Sequence, residues 1–308
     1  MVRIRFDKED NEWYEIPKEN PKSDMDLVID NKLCDVLIAI KKDLKRELDH
    51  AMIVGGSVGA GKSNAARVMC RFVSNEKFHP RTHIIRDVED IEPVITNARP
   101  GEAIIFDEGS GIFSATDTMT KKTKYANYVL DVCRQKFLFI VIVAPDIHRL
   151  TSKIAIDRTK TFVRVYMDNK NGRRGKFAFY GTHLKEKLYR FAKKNFGVIK
   201  GCKAKFRGTI GLDKTYTAEY KQVKDETLTK ALHSFGNKKE IEKALPKPKV
   251  VIHDYKVSLV AQNRNKTSKE LANLLGMSEA SIKQYRKQIK DKEKILSEAQ
   301  KPIIIAIS

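Results

Sequence analysis

The segment Gly56-Ser57-Val58-Gly59-Ala60-Gly61-Lys62-Ser63 has the residue types and the spacing needed to hold a chain of phosphates. Its glycines let backbone N–H groups turn inward, and a helix starting at the lysine presents its positive end to the anion. Lys62 is placed to reach the β- and γ-phosphates and the Ser63 hydroxyl to ligate Mg2+. Asn64 closes the cofactor-binding run that begins at Gly56. A second run, Ala103-Ile104-Ile105-Phe106-Asp107-Glu108, reads as a buried strand whose tip carries two adjacent carboxylates. Asp107 is expected to hold the metal ion through its water shell. Glu108 is expected to work with Lys62 as a catalytic residue, taking the proton of the water that attacks the γ-phosphate or orienting that water. An acid pair of this kind favours hydrolysis over transfer to another molecule's hydroxyl, which needs no water-activating glutamate.

A third apolar run, Val141-Ile142-Val143-Ala144-Pro145-Asp146, ends in a carboxylate that could sense the γ-phosphate or simply close a turn around Pro145. Arg134, Arg149 and Arg158 lie where a neighbouring subunit's arginine finger would come from, and the sequence does not choose among them. Guanine readers carry Asn-Lys-x-Asp. Asn169-Lys170-Asn171-Gly172 departs from that at its last position and suits a hairpin turn, so ATP is the expected nucleotide.

These residues need elements to position them. Strands are predicted at Ala51-Met52-Ile53-Val54, His83-Ile84-Ile85-Arg86, Ala103 to Phe106 and Leu138 to Val143, with a helix following Lys62. Alternation of strand and helix means an α/β domain with a mostly parallel sheet and helices on both faces, and the phosphate loop with its acid strand resembles the RecA-like, additional-strand P-loop type. Thr161 to Met167 and Lys176 to Tyr180 read as a hairpin, whose Arg173, Arg174 and Lys176 could touch further phosphates. A helix from Thr182 to about Asn195 follows. Upstream, Val2 to Phe6 and Glu12 to Ile16 suggest a hairpin, and apolar residues from Leu33 to Leu48 recur at helical spacing from about Asp30.

The expected organisation is an N-terminal hairpin and helix over 1–50, the phosphate-loop core over 51–196, a basic extension and linker over 197–250, and a small all-α domain over 251–308. The linker assignment rests on weak periodicity and on Leu245-Pro246-Lys247-Pro248-Lys249. With 41% hydrophobic and 32% charged residues, a chain of 308 residues can bury a core. The four cysteines are scattered, which argues against a zinc site or a disulfide framework. No apolar run reaches the roughly 20 residues that span a bilayer, so a cytoplasmic protein without a membrane partner is expected.

A net charge of +21 points to an extended anionic partner, and nucleic acid leads. Lys266 to Arg286 reads as two short helices around a turn, capped by Thr267 or Ser268 and by Ser278, with Gly276 ending the first. Leu271, Ala272, Leu275, Met277 and Ile282 make a small shared core. In a helix-turn-helix the second helix enters the major groove, which makes Ser281, Lys283, Gln284, Arg286 and Lys287 the candidate DNA contacts. Packing of the same two helices against a protein is the alternative.

Gly56 to Ser63, Ala103 to Glu108 and Leu138 to Asp146 together resemble the additional-strand P-loop ATPases, especially the FtsK and HerA class of DNA pumps and the zonula-occludens-toxin-like proteins of phages and mobile elements. The C-terminal segment is similar to the helix-turn-helix of bacterial and archaeal regulators, and the combination resembles proteins of archaeal plasmids and viruses. The resemblance implies a homo-oligomeric ring, a hexamer in that class, whose DNA-stimulated ATPase translocates, packages or remodels DNA. A DNA-binding switch set by ATP occupancy, serving replication, partition or transcription, is the other expectation. A small-molecule kinase ranks last, since it leaves the charge and the C-terminal segment unexplained.

Overall fold

The computed structural model describes residues 1–17, 19–115, 121–168, 171–191, 203–234, 256–257, 259–275 and 277–299. The chain divides into two compact units, Met1–Lys243 and Ala244–Ser308. Among the described residues no helix is long and apolar enough to cross a membrane.

The first unit opens with β1 (Val2–Asp7), β2 (Glu12–Glu15) and β3 (Leu27–Ile29), an antiparallel sheet with β1 in the middle. The predicted hairpin is therefore present with a third strand added. Helix α1 (Asn31–Lys45) begins at Asp30, whose carboxylate accepts from the Lys32 N–H, and it buries Leu33, Leu37, Ile40 and Leu44. This spacing of four, three and four residues is what lays them on one face.

The main sheet follows, with β4 (His50–Gly55), α2 (Lys62–Val73), α3 (Pro80–His83), β5 (Ile84–Ile85), α4 (Ile91–Asn97), β6 (Ala103–Phe106), α5 (Gly109–Ile112), α6 (Lys121–Val132), β7 (Phe139–Val143), β8 (Thr161–Tyr166), β9 (Lys176–Tyr180), α7 (Thr182–Phe191) and β10 (Phe206–Thr209). Its order is β10-β9-β8-β4-β7-β6-β5. Strands β5, β6, β7, β4 and β8 are parallel, and β9 and β10 extend the sheet antiparallel. Strands β4, β6 and β7 are buried along their whole length, as their unbroken Val, Ile, Met and Phe runs require of a sheet covered on both faces. β7 lies between the loop strand β4 and the acid strand β6. The buried cluster runs from Ile4 and Leu27 through α1, α2 and the strands to Ile210, so the N-terminal sheet belongs to the same core.

The segment expected to be a basic extension and linker differs from that reading. Residues 206–209 form an edge strand of the main sheet, and α8 (Thr217–Ser234) packs on the same unit. Short strands and polar helices carry little periodic signal, which is why 203–234 reads as linker. The Leu245 to Lys249 stretch, Cys202, Gly276 and the terminal Ile303 to Ile307 run lie outside the described residues.

The second unit contains α9 (Ser268–Leu275) and α10 (Glu279–Ala299). Thr267 and Glu270 cap α9 reciprocally: the Thr267 N–H donates to the Glu270 carboxylate at 2.7 Å and the Glu270 N–H to the Thr267 hydroxyl at 3.2 Å. The Ser278 hydroxyl accepts from the Ser281 N–H at 3.2 Å and so starts α10. Leu259, Val260, Leu271, Ala272, Leu275 and Ile282 form the core, with Met277, Tyr285 and Ile289 packed on it.

Candidate phosphate-binding site

The loop between β4 and α2 lies at the C-terminal ends of the parallel strands, where ligands of open α/β sheets collect. Its path is glycine-dependent. Gly56, Gly59 and Gly61 have φ of 138°, 77° and 99°, values that side chains with a Cβ rarely adopt. At Gly56 the constraint is doubled, because a Cβ there would run into the Val165 carbonyl of the neighbouring strand. The Gly56 N–H donates to the Pro145 carbonyl at 3.2 Å, which ties the start of the loop to the end of β7. Gly61 precedes α2 without supplying a side-chain cap, leaving the first N–H groups of this helix for an external anion.

Lys62 reaches back across the loop, its Nζ 2.9 Å from the Ser57 carbonyl. Burial pushes its pKa below the usual lysine value, against the pull of Asp107, with Lys224 on α8 adding a second positive charge nearby. The Ser63 hydroxyl donates to Asp107 at 3.2 Å, so the two oxygen groups expected at a metal ion, 44 residues apart in sequence, meet. Two hard oxygen donors with one carboxylate suit Mg2+, which keeps waters and phosphate oxygens for most of its shell.

Asp107 is buried at the tip of β6 and Glu108 is exposed beside it. Glu108 adopts φ 55°, a left-handed conformation that costs a non-glycine residue about 1–3 kcal/mol and recurs at functional sites. Next to it Gly109 packs closely on β7, where a Cβ would lie 2.6 Å from Ile142. The glycine loop, the start of α2 and the paired carboxylates thus lie together at one end of the sheet.

No protein-family model matches the sequence, and no curated protein matches it. Among solved structures the chain is similar to the genome packaging NTPase B204 of Sulfolobus turreted icosahedral virus 2, with 15% identity, 44% of this chain and 92% of that chain covered, and a TM-score of 0.31. It is also similar to the N-terminal domain of zonular occludens toxin from Neisseria meningitidis, with 15% identity, coverage of 55% and 97%, and a TM-score of 0.36. A DNA polymerase III gamma subunit-related protein from Thermotoga maritima gives 16% identity, coverage of 44% and 47%, and a TM-score of 0.30. At such low scores and identities, the site stands on its own geometry.

Other expected residues fall in varied places. The Asn64 side chain donates to the Gly211 carbonyl and accepts from the Asp213 N–H, each at 2.8 Å. Asp146 caps the following turn, accepting from the His148 N–H at 2.9 Å and sitting 3.0 Å from its ring nitrogen. Arg158 does not fit a finger: it is buried against Asp49 at 2.5 Å and donates to the Leu130 carbonyl. Arg134 precedes β7 and so sits at the sheet end opposite the loop, whereas Arg149 is exposed at the loop end.

The β8–β9 hairpin packs against the loop. The Gly175 N–H donates to the Ala60 carbonyl at 3.2 Å, and the Arg174 Cβ lies 3.9 Å from where a Gly61 Cβ would be. Lys176 is paired with Asp168 at 2.5 Å. Gly172 closes the turn with φ 63°, as Asn-Gly suggested, although Asn169 and Lys170 lie outside the described residues.

Tyr220 of α8 was not singled out by the sequence. Its hydroxyl donates to the second oxygen of Asp107 at 2.6 Å, and the Arg67 guanidinium covers its ring at 4.5 Å. Burial, then the Asp107 charge, raises the phenol well above the usual tyrosine range, so it remains a donor. Buried Asp213 anchors the approach to α8, meeting Arg71 at 2.6 Å and Arg67 at 3.8 Å. A tyrosine in an 18-residue polar helix has no spacing partner that would mark it.

On α10, Lys283, Gln284 and Lys287 are exposed, and Lys283 pairs with Glu279 at 2.8 Å. Ser281 bonds the Ser278 hydroxyl at 2.8 Å, and Arg286 donates to the Lys266 carbonyl.

Proposed function

We propose that this protein is a Mg2+-dependent ATPase that handles DNA, acting as an oligomeric translocase or packaging motor of a virus or plasmid. The observation that carries the reading is the meeting of Ser63 with Asp107 beneath the glycine loop, with Lys62 and Glu108 beside them. Backbone N–H groups and Lys62 would hold the phosphates, and Ser63 and Asp107 would hold a Mg2+, which would supply charge neutralisation at the phosphates. Glu108 takes a proton from a water as its oxygen bonds the γ-phosphorus and the bond to the ADP oxygen breaks. Arg174, whose backbone is seated against the loop, supplies further positive charge in the same subunit. Arg149 is the preferred finger from a neighbour, being exposed at the loop end of the sheet.

The two-helix unit reads as a helix-turn-helix whose exposed Lys283, Gln284 and Lys287 meet DNA, in keeping with a net charge of +21. Phosphate release measured at low salt, with and without duplex DNA, tests the motor: stimulation by DNA is expected, and its absence contradicts it. The separate compactness of Ala244–Ser308 favours a second reading, a switch in which ATP occupancy governs site-specific binding. A footprint at one sequence without movement along the duplex selects it.

A further inference from the structure

We infer that Tyr220 is a latch on the metal site, competing with metal-bound nucleotide for Asp107 and Ser63 and lifting from them when that nucleotide binds. The inference rests on the nucleotide reading of the loop and concerns how occupancy is sensed. Both oxygens of the Asp107 carboxylate are engaged, one by the Ser63 hydroxyl at 3.2 Å and the other by the Tyr220 phenol at 2.6 Å. A Mg2+ site needs that carboxylate to accept from the ion's waters and needs the serine oxygen at the ion. A phenol hydrogen-bonded to the same carboxylate occupies capacity that the hydrated ion requires.

The helix that carries Tyr220 is held in a way that permits release. Its contacts with α3 are ion pairs at the surface: Arg81 with Glu219 at 3.2 Å and with Glu226 at 3.4 Å, and His79 with Glu219 at 3.3 Å. Exposed pairs of this kind add little to stability. Val223 is the buried apolar residue on the described part of α8. Beneath the ring, buried Arg67 leaves Nε and Nη1 without a hydrogen bond among the described residues, although Nη1 lies 3.8 Å from Asp213. Asp213 and Asn64, by contrast, fix the start of the segment at α2, an anchor that stays in place while α8 moves. α8 is also the last element of the first unit described before the chain proceeds to Ala244–Ser308. The state of the metal site is thereby imposed on the helix that precedes the second unit in the chain.

The test uses the full chain and ADP, so that no turnover is involved. Tyr220→Phe keeps the ring on Arg67 and removes the hydroxyl. By calorimetry, it is expected to tighten ADP binding in Mg2+ about tenfold, roughly 1.4 kcal/mol, while ADP binding in EDTA changes less than about twofold. Unchanged or weaker binding in Mg2+ overturns the latch, the latter showing that Tyr220 orients Asp107 for the ion. Hydrogen exchange in the wild-type chain gives an independent check. Amides of 217–226 should exchange faster with Mg2+ and ADP than with ADP in EDTA, and equal or slower exchange contradicts release. If the wild-type chain binds ADP under neither condition, the nucleotide reading itself fails and the latch with it.

Discussion

The loop end of the main sheet and the two-helix unit at the C-terminus are built by opposite means. At the loop end, residues far apart in sequence converge: Ser63 on Asp107, Ala60 on Gly175, Tyr220 on Asp107. In the second unit, order comes from neighbours in sequence, Thr267 with Glu270 and Ser278 with Ser281, around six buried side chains. The first arrangement suits chemistry, which needs groups fixed to fractions of an ångström. The second suits a surface whose exposed basic side chains act by charge and reach.

The contrast can be broken most strongly at Lys62. Lys62→Ala is expected to lower phosphate release by about 10²–10³-fold, as loss of a fixed charge at a developing anion does, while the melting of the second unit is unchanged. Gly56→Ala follows. The new methyl meets the Val165 carbonyl at a φ of 138°, and denaturant unfolding of the first unit should show a loss of about 2–5 kcal/mol.

Acid sharpens the same difference. His50 at the start of β4 is buried, and burial first, then the charges of Lys160 and Arg158, push its pKa down to about 3. The unfolded chain takes up that proton near pH 6.5, so stability is full above 6.5 and falls by roughly 1 kcal/mol per pH unit from there toward 3. Melts of the first unit at pH 7 and pH 5 should show the drop, and His50→Gln should flatten it.

Smaller effects belong to the second unit. Replacing Lys283 and Lys287 by alanine should cut the salt dependence of DNA binding by about one unit of slope each, measured by titration at several salt concentrations, with basal hydrolysis unchanged. Thr267→Ala should cost the second unit about 1 kcal/mol in thermal unfolding and leave the loop site untouched.

What was legible in the sequence follows the same division. Gly56 to Ser63 and Ala103 to Glu108 are contiguous runs with fixed chemistry, so their placement at the ends of β4 and β6 could be read directly. Local capping made α9 and α10 legible as well, down to Thr267 and Ser278. Contacts made at long range were not. Nothing in Thr217 to Ser234 announces that Tyr220 meets a carboxylate 113 residues earlier. Arg174 looks like any charged turn until Gly175 is seen bonded to Ala60. Arg158 looked available because burial is a property of the fold: Asp49 claims it only once β4 and the segment before β8 lie side by side.

Phosphate release from ATP in the presence of Mg2+, by the wild-type chain and by Glu108→Gln, is the most direct test of the central claim. The site described here predicts steady hydrolysis by the wild type and a fall of about 10²–10⁴-fold in the variant, with ATP binding retained. Equal rates in the two proteins would contradict it.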